Sequence, residues 1–417
     1  MKRLLVVWMV ISLFAGIEAK AAVWHIRSDE GGENLIKKAL EKANAYDTLY
    51  IHSGNYPEHG LLIKKPITII GMENSVIDGK FMGEILTIMS DNVQVKGLTI
   101  QNVGEDFLED RAGIRIVEAS RVIIEENHLI NTFFGIYLQN ATDCQVRDNT
   151  VVGSAIQEAY AGNAIHIWKS QRILVENNLV KGHRDGIYLE FVDQSRIFGN
   201  TSEDNLRYGL HFMFSNYDSY ERNTFQRNGS GVAVMFSKHI KMLGNQFNDN
   251  WGGASYGILL KEISDGLMEG NTFRHNTVGV YAEGANRIDI QKNNFLHNGK
   301  AMDIKGNCMD NNILSNNFIG NTFEVLTNSK SNLNHFEGNY WGQYRGYDID
   351  RDGIGDVPYR PVNLFALVTH KIPAASILLH SMLVQSLELA EKLFPQIIPE
   401  QLLDEKPRIK PFSYDQN

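Results

Sequence analysis

The chain has 417 residues, of which 43% are hydrophobic and 21% are charged, and its formal net charge at pH 7 is −9. This composition describes a globular protein with a substantial core and excludes an intrinsically disordered chain. The acidic balance, without a cluster of Lys and Arg, argues against a nucleic-acid-binding face. Because there are only two cysteines, the fold must be stabilised by its core rather than by a disulfide framework.

Residues 1–21 have the features of a secretory signal peptide. Lys2 and Arg3 precede an uncharged run, Leu4 to Ile17, and Ala19-Lys20-Ala21 offers the small residues that a signal peptidase requires. The uncharged run is shorter than the roughly 20 residues of a membrane-spanning helix, so a transmembrane anchor is the weaker alternative. We therefore expect a periplasmic protein whose signal peptide is cleaved.

Residues 22–48 predict an N-terminal cap. The segment GENLIKKALEKAN, residues 32–44, carries apolar residues at the spacing of a helix. The open end of a sheet must be covered, so we expect this helix to close the first coil of the structure that follows.

Residues 49–342 contain an internal repeat of about 22 residues, a period that is typical of solenoid proteins. A Gly or Ala opens a short alternation of apolar residues in segments that begin at Gly113, Gly135, Ala164, Gly186, Gly209, Gly231, Gly257, Gly279 and Ala301. A column of asparagines keeps the same interval and comprises Asn127, Asn149, Asn177, Asn200, Asn223, Asn245, Asn271, Asn293, Asn316 and Asn339.

Each repeat is too short to bury its own apolar face, and stacking the repeats in register solves that problem. We predict an all-β fold, a right-handed parallel β-helix over residues 49–342, with coils about 4.8 Å apart. A leucine-rich repeat would need the L-x-x-L-x-L-x-x-N pattern, and a propeller would need units of about 40 residues. On this spacing Cys144 and Cys308 lie roughly 34 Å apart, so both thiols should be free.

One wall of the predicted solenoid has an unusual composition. Because side chains alternate between the two faces of a strand, the second and fourth residues after each opening Gly or Ala should point outward. Those positions hold His166, Trp168, Tyr188, Glu190, His211, Met213 and Met235.

Imidazole and thioether groups on an outer wall suit Cu(I), and an exposed methionine gains little from burial. We therefore consider copper ligands among His166, His211, Met213, Met235, His239 and Met242. An aromatic groove for a sugar, a docking face for a protein and methionines covered by a loop are the alternatives.

The string GHRDG, together with Tyr188 and Glu190, is the candidate for polysaccharide chemistry on the same wall. An enzyme of that kind would use His183, Asp185, Tyr188 and Glu190, but the acid/base pair expected of such an enzyme would need a second convergent Asp, which is missing. A lone His-x-Asp is more often part of a hydrogen-bonded turn.

Residues 343–362 form an aspartate-rich loop. Asp348, Asp350 and Asp352 alternate, Gly353 favours a sharp turn and Asp356 follows. Oxygen-rich loops of this type suit Ca²⁺, although Tyr359 stands where an EF-hand has its bidentate glutamate. A solvated turn whose carboxylates accept backbone amides is the alternative.

Residues 363–417 predict a helical C-terminal tail. The segment AASILLHSMLVQSLELAEKLF lies between Pro373 and Pro395 and is amphipathic. It lacks an apolar run of about 18 residues, so it should lie on a surface rather than cross a membrane. It could serve as a cap or as a docking element for a partner.

The arrangement N-Y-W-x-x-Y-x-G-x-D-x-D-x-D-G-I-G-D-x-P-Y, from Asn339 to Tyr359, follows asparagine-ladder coils of the pectate-lyase-like or CASH type. In this combination the chain resembles the NosD family of periplasmic proteins of nitrous oxide reductase maturation. The resemblance covers essentially the whole mature chain, while the coils alone are shared by many carbohydrate-active proteins.

The resemblance implies a protein that is not an enzyme and that belongs to an ABC-type complex with separate permease and ATPase subunits. It implies peripheral membrane association through the permease and a role, with a copper chaperone, in supplying copper to nitrous oxide reductase. The chain has no G-x-x-x-x-G-K-[ST] loop, so ATP hydrolysis would belong to a partner. A polysaccharide-modifying enzyme is the alternative function, and a passive surface adhesin is a third.

Overall fold

A computed structural model gives the structure of the chain. It describes residues 21–104, 109–329, 333–362 and 402–413, and the positions 365, 368–369, 373–378, 381–382, 384 and 386–387 between them. The signal-peptide prediction lies almost entirely outside the described residues, as does much of the expected tail.

The described strands form three parallel sheets, and each coil of the right-handed solenoid crosses the first, second and third sheet in turn. The strands of the first sheet are Val23–Ile26, Thr48–Ile51, Thr68–Gly71, Gln94–Lys96, Ile123–Glu125, Gln145–Arg147, Leu174–Glu176, Arg196–Phe198, Ser219–Glu221, Lys241–Leu243, Ser264–Glu269, Asn286–Gln291, Met309–Leu314 and Leu333–Glu337. The strands of the second sheet are Gly54–Tyr56, Ser75–Asp78, Thr99–Gln101, His128–Ile130, Thr150–Val152, Leu179–Lys181, Thr201–Glu203, Thr224–Gln226, Gln246–Asn248, Thr272–Arg274, Asn294–Leu296, Asn317–Ile319 and Tyr340–Trp341.

The third sheet carries the wall that the sequence singled out. Its strands are Leu61–Ile63, Leu86–Ile88, Ala112–Val117, Phe134–Gln139, Ile165–Trp168, Asp185–Glu190, Tyr208–Met213, Ser230–Met235, Tyr256–Lys261, Val278–Glu283, Lys300–Ile304 and Phe323–Thr327. The helical elements whose bounds are described are an α-helix, Leu35–Lys42, and three 3₁₀ turns, Ser28–Glu30, Glu158–Tyr160 and Pro373–Leu378. The predicted all-β parallel β-helix is confirmed.

The core consists of vertical stacks of like side chains. In the third sheet Ile187 and Leu189 are fully buried and pair in register with the strands before and after them. In the second sheet six aromatic rings stack at centroid distances of 4.2 to 5.6 Å. They are Phe225, Phe247, Phe273, Phe295, Phe318 and Trp341.

Buried asparagines tie successive coils together at the turn between the first and second sheets. Asn223 shows the pattern, because its backbone N–H and its Nδ2 both donate to Asn245 Oδ1 at 3.0 Å. The ladder comprises Asn127, Asn149, Asn178, Asn200, Asn223, Asn245, Asn271, Asn293, Asn316 and Asn339. The prediction of Asn177 was wrong, because that residue takes the left-handed turn conformation (φ 53°) and Asn178 faces inward.

A second asparagine ladder, absent from the sequence analysis, lies at the turn between the second and third sheets. Each member after the first accepts a hydrogen bond from the backbone N–H of the member one coil earlier, and the first, Asn205, accepts from the N–H of His183. It comprises Asn205, Asn228, Asn250, Asn276, Asn298 and Asn321. Each follows a first-ladder asparagine at one constant interval, a signal that the sequence does carry.

The N-terminal end of the solenoid is covered by the helix Leu35–Lys42, as predicted. Ile36, Ala39 and Leu40 face the core. Glu58 accepts the N–H groups of Ile36 and Lys37 at 2.9 and 3.0 Å, so a carboxylate satisfies the otherwise free amides at the helix start.

The C-terminal end is closed by Asp404. This buried carboxylate accepts the N–H groups of Gly338 and Asn339 and the indole N–H of Trp341 at 2.9 to 3.0 Å. The prediction of a helical tail was therefore wrong for residues 402–413. These residues extend along the last coil and supply the acceptor that its asparagine ladder needs.

Earlier parts of the tail are helical where they are described, at positions 365, 368–369, 382, 384 and 386–387. Val384 and Phe365 pack on Phe323 and Leu326 of the last strand of the third sheet. Within the described part of the chain, no helix has the length and apolar character that crossing a bilayer requires. Both cysteines are free and buried, as predicted.

One buried carboxyl interrupts the turn between the third and first sheets. Asp218 accepts the N–H of Ser195 through Oδ1 at 2.7 Å, while Oδ2 has no partner among the described residues. Burial raises the pKa of Asp218 to about 8. The folded protein therefore holds this proton at pH values where the unfolded chain, with a pKa near 3.8, has lost it.

The stability of the fold should fall as the pH rises from the unfolded to the folded pKa of Asp218. Asp218→Asn, which needs no proton to stay neutral, should remove that part of the pH dependence and be more stable than wild type at about pH 9 by on the order of 2 kcal/mol. Urea unfolding at about pH 5 and about pH 9 measures the difference, with the exposed Asp148→Asn as control. Equal pH dependence in wild type and Asp218→Asn would contradict the assignment.

Candidate functional site

The predicted outer wall lies on the strands Asp185–Glu190, Tyr208–Met213 and Ser230–Met235. Strand register places Met213 beside Glu190 on one side and beside Met235 on the other. Both methionines are half-buried and point away from the core. Two thioethers thus stand on neighbouring coils of one wall.

Tyr188 joins the methionine pair to the residues behind it. Its hydroxyl donates a hydrogen bond to Met213 Sδ at 3.7 Å. Burial, followed by the charge of Glu190, raises the pKa of Tyr188 to about 12, so the hydroxyl stays a neutral donor at physiological pH. The contact holds the Met213 side chain against the wall.

The column of rings next to the methionines is more buried than the alternation of side chains along a strand predicts. Tyr137, His166, Tyr188 and His211 contact one another through tilted or edge-to-face rings at centroid distances of 4.5, 4.8 and 4.8 Å, and each is at most 9% exposed. The expectation that His166 and His211 face water was wrong, because rings that repeat at the coil spacing cover one another.

His166 is held neutral in this column. Its Nδ1 lies 3.1 Å from Asn163 Nδ2, and its buried Nε2 has no partner among the described residues. Burial, and then the charge of Arg184, lowers the pKa of His166 to about 3. The ring therefore offers neutral imidazole chemistry at any physiological pH.

His211 sits against a buried ion pair. Its Nδ1 lies 3.7 Å from Asp185 Oδ2 and 3.5 Å from Arg207 Nη2, and its Nε2 is buried without a partner in the described structure. Arg207 Nε donates to Asp185 Oδ1 at 2.9 Å, and Arg207 Nη2 also donates to this carboxylate. Burial alone would raise the pKa of Asp185, but the bonds from Arg207 and His211 outweigh it and lower the pKa to about 2.

His239 and Met242 do not join the wall. Met242 is fully buried in the first sheet between Tyr220 and Met268, so its prediction as a copper ligand was wrong. The central residue of strand Lys241–Leu243 points inward. His239 is exposed in the turn before that strand and stacks on Tyr217 at 4.6 Å.

Three exposed phenylalanines run beside the methionine pair, and we call Phe191, Phe214 and Phe236 the phenylalanine ridge. They are 45%, 38% and 41% exposed, and their rings stack at centroid distances of 5.2 and 5.1 Å. Each has a positive φ, between 51° and 54°, a conformation that bulky residues rarely adopt. The sequence analysis missed the ridge, although the sequence carries a signal for it, because Phe214 and Phe236 directly follow Met213 and Met235.

The fold itself does not require aromatic residues at this turn position. In other coils the same left-handed position holds Glu118, Asn140, Lys169 and Glu262. Large hydrophobic side chains that are both exposed and in a strained conformation indicate a contact surface.

The residues considered for polysaccharide chemistry do not converge. His183 is buried, its Nδ1 lies 3.0 Å from the carbonyl of Lys181, and burial lowers its pKa to about 4. Asp185 is buried in an ion pair with Arg207. Tyr188 and Glu190 remain on the outer wall, where Glu190 borders a groove of about 760 Å³ that also contacts Trp168.

In the aspartate-rich loop, ligand oxygens of Asp348, Asp350 and Asp352 lie within 4.8 Å of one another. Asp348 accepts the N–H groups of Asp352 and Gly353, while Asp356 accepts that of Ile349 at 2.7 Å. The bond from the Asp352 amide lowers the pKa of Asp350, but the Asp352 charge and other effects outweigh it, so the net pKa lies above its usual value.

Comparison with known proteins finds two family models that match parts of the chain. The model of the family described as "Periplasmic copper-binding protein (NosD)" matches residues 153–346, and that described as "Right handed beta helix region" matches residues 29–180. Residues 153–346 of the chain are thus similar to the NosD family. The family resemblance expected from the sequence is thereby confirmed.

Two curated relatives are similar along most of the chain. The "Probable ABC transporter binding protein NosD" of Pseudomonas aeruginosa is 29% identical over 86% of this chain and 86% of its own length. The NosD protein of the same description from Stutzerimonas stutzeri is 28% identical over 84% of each chain. Both relatives are named as binding proteins rather than as enzymes.

Among solved structures, the catalytic unit of a GH87 α-1,3-glucanase from Streptomyces thermodiastaticus superposes on the chain with a TM-score of 0.59. The match covers 78% of this chain and 68% of the glucanase at 12% identity. At that identity the likeness concerns the fold alone.

Calcium binding by the aspartate-rich loop stays a prediction. Ca²⁺ should raise the midpoint of thermal unfolding, because a cation relieves the repulsion among the clustered carboxylates. Asp348→Asn combined with Asp352→Asn should abolish the increase, whereas Asp143→Asn, an exposed change elsewhere, should keep it. No Ca²⁺-dependent increase in the wild type would leave the loop as a turn stabilised by its own backbone bonds.

Proposed function

We propose that the chain is a periplasmic accessory protein, without enzymatic activity of its own, in an ABC-type complex that supports copper-site assembly of nitrous oxide reductase. Its partners in this proposal are the permease and ATPase subunits, a copper chaperone and the reductase. The match to the NosD family model and the names of both curated relatives support this function. Copper is the cargo and binds to the protein only transiently.

The observation that carries the proposal is the methionine pair. Met213 and Met235 offer two thioether sulfurs on adjacent coils, and thioethers favour Cu(I) over harder cations. His211 lies on the same strand as Met213, and its buried Nε2 has no hydrogen-bond partner among the described residues. The two thioethers form a soft site at the surface, where a weakly held ion can be received and released.

The phenylalanine ridge supports contact with a protein at the same place. Its three rings stack face to face, at interplanar angles of 8° and 16°, so most of the ring faces are already covered and the edges point outward. A sugar platform needs free ring faces. Ring edges beside methionines suit the apolar contact surface of a folded partner that carries copper.

The structure favours this function over polysaccharide chemistry. An acid–base mechanism would need His183 and Asp185 to face a substrate, and both are buried against other protein groups. The glucanase likeness concerns the fold and brings no activity to this chain.

The tail is the proposed contact with the membrane partner. Val384 packs on the last strand of the third sheet, while Ile377 and Met382 are 85% and 83% exposed. Such large apolar side chains on the outside of a docked segment suit binding to the permease.

Replacing both methionines should remove the copper site. Met213→Leu with Met235→Leu keeps the volume and apolar character of the side chains but removes both sulfurs, so Cu(I) affinity should fall by roughly tenfold or more. Competition with a Cu(I) chelator measures it, and Met89→Leu with Met309→Leu is the control, because both are exposed methionines elsewhere. Unchanged affinity in the test variant would exclude the site.

The phenylalanine ridge should matter for docking and not for copper affinity. Phe214→Asn with Phe236→Asn introduces a residue that this turn accepts in another coil, so the fold should be retained. Binding of the copper-loaded chaperone, measured by surface plasmon resonance, should weaken by roughly tenfold or more, as expected when aromatic contact residues are lost. The matched control is Lys169→Asn with Glu262→Asn at the same turn position. Full chaperone binding by the test variant would contradict the docking surface.

A further inference from the structure

Two histidines meet at the N-terminal end of the solenoid, far along the chain from the methionine pair. His25 belongs to the first strand of the first sheet, and His52 directly follows the second strand. His25 Nδ1 lies 2.9 Å from His52 Nε2. Tyr50 stacks on the His25 ring at a centroid distance of 5.5 Å, so the ring has a fixed orientation.

Strand alternation directs these side chains outward. Leu49 and Ile51 are fully buried, so Tyr50, which lies between them, and His52, which follows Ile51, point towards solvent. Met72 joins them on the next coil, because its N–H donates to the carbonyl of Ile51 at 2.8 Å and so places it beside His52. Its side chain is 43% exposed.

Two imidazole nitrogens at this distance have two possible uses. One ring can donate its proton to the other, or both can direct their lone pairs at one ion. Two nitrogen ligands at about 2.0–2.1 Å from a metal, at roughly a right angle, lie about 2.9 Å apart. The observed separation therefore already matches a chelating pair, with His25 protonated at Nε2 and His52 at Nδ1.

We propose that His25 and His52 chelate a divalent first-row transition-metal ion, with Met72 as a weaker third ligand and water in the remaining positions. Imidazole suits Cu²⁺, Zn²⁺ and Ni²⁺, and among these ions Cu²⁺ binds tightest to a nitrogen site that imposes no special geometry. The chelating pair belongs to the first sheet and the methionine pair to the third. The two sites are therefore independent, and this inference does not rest on the copper-delivery function.

The test uses the full chain, purified without a polyhistidine tag and stripped of metal, titrated with CuCl₂ and ZnCl₂ by calorimetry. His25→Gln and His52→Gln, which keep polar side chains of similar size on the surface, should each lower the affinity of this site for Cu²⁺ by at least about tenfold. Met72→Leu should have a smaller effect. His128→Gln, an exposed histidine of the second sheet, is the matched control and should leave the titration unchanged.

Electron paramagnetic resonance of the Cu²⁺ complex gives an independent readout. Nitrogen hyperfine coupling from two imidazoles is expected in the wild type, and from one in either single variant. Circular dichroism checks that each variant is folded. A wild type that takes up no Cu²⁺, or a His25→Gln/His52→Gln double variant that binds Cu²⁺ as tightly as the wild type, would overturn the proposal, whatever the outcome at Met213 and Met235.

Discussion

Vertical hydrogen bonding between buried asparagines is the constraint on which the rest of the structure depends. Asn223 shows the pattern of the first ladder, because its Nδ2 donates both to Asn245 in the next coil and to the carbonyl of Ile197 in the coil before it. A buried amide without those partners would cost a large part of the stability of a domain. A coil that slipped by one residue would leave such amides unpaired, so the ladders fix the register of every coil.

Register is what turns distant parts of the chain into a surface. Met213 and Met235 become neighbours only because their coils stack without slippage. The same stacking buries His166 and His211 among aromatic rings and keeps their imidazoles away from water. The wall therefore combines thioethers at its edge with the buried imidazoles of His166 and His211 behind them, while the phenylalanine ridge marks its border.

At the ends of the solenoid, too, buried polar groups need hydrogen-bond partners. The last ladder residue, Asn339, needs an acceptor beyond it, and Asp404 supplies one from a distant part of the chain. At the other end, Glu58 accepts the backbone N–H of Ile36 at the start of the N-terminal helix. Asp404 thus fixes the chain to the last coil again where the tail ends.

The sequence predicted what periodicity controls. The repeat indicated the β-helix, the pairing of Met213 with Met235 and the separation of Cys144 from Cys308, because in-register stacking follows from repeat length alone. The inward and outward alternation of side chains on the strand of Met235 does not predict the direction of Met242, because a turn separates the two strands. Asn177 and Asn178 are adjacent, and only backbone conformation decides between them.

Other features had no periodic signal to reveal them. Asp404 stands outside the repeat, so its place at the end of the ladder follows only from the folded structure. The burial of His166 depends on rings from neighbouring coils, and the ion pair of Asp185 depends on Arg207 one coil later. Such contacts need the actual side-chain packing, because alternation predicts a direction but not what a side chain meets.

The most direct test of the account is anomalous diffraction at the copper edge from crystals of the protein loaded with Cu(I) under anaerobic conditions. The account predicts a peak within bonding distance of both Met213 Sδ and Met235 Sδ, on the outside of the third sheet. Copper bound only elsewhere, or a methionine pair that stays empty when copper is in excess, would contradict it.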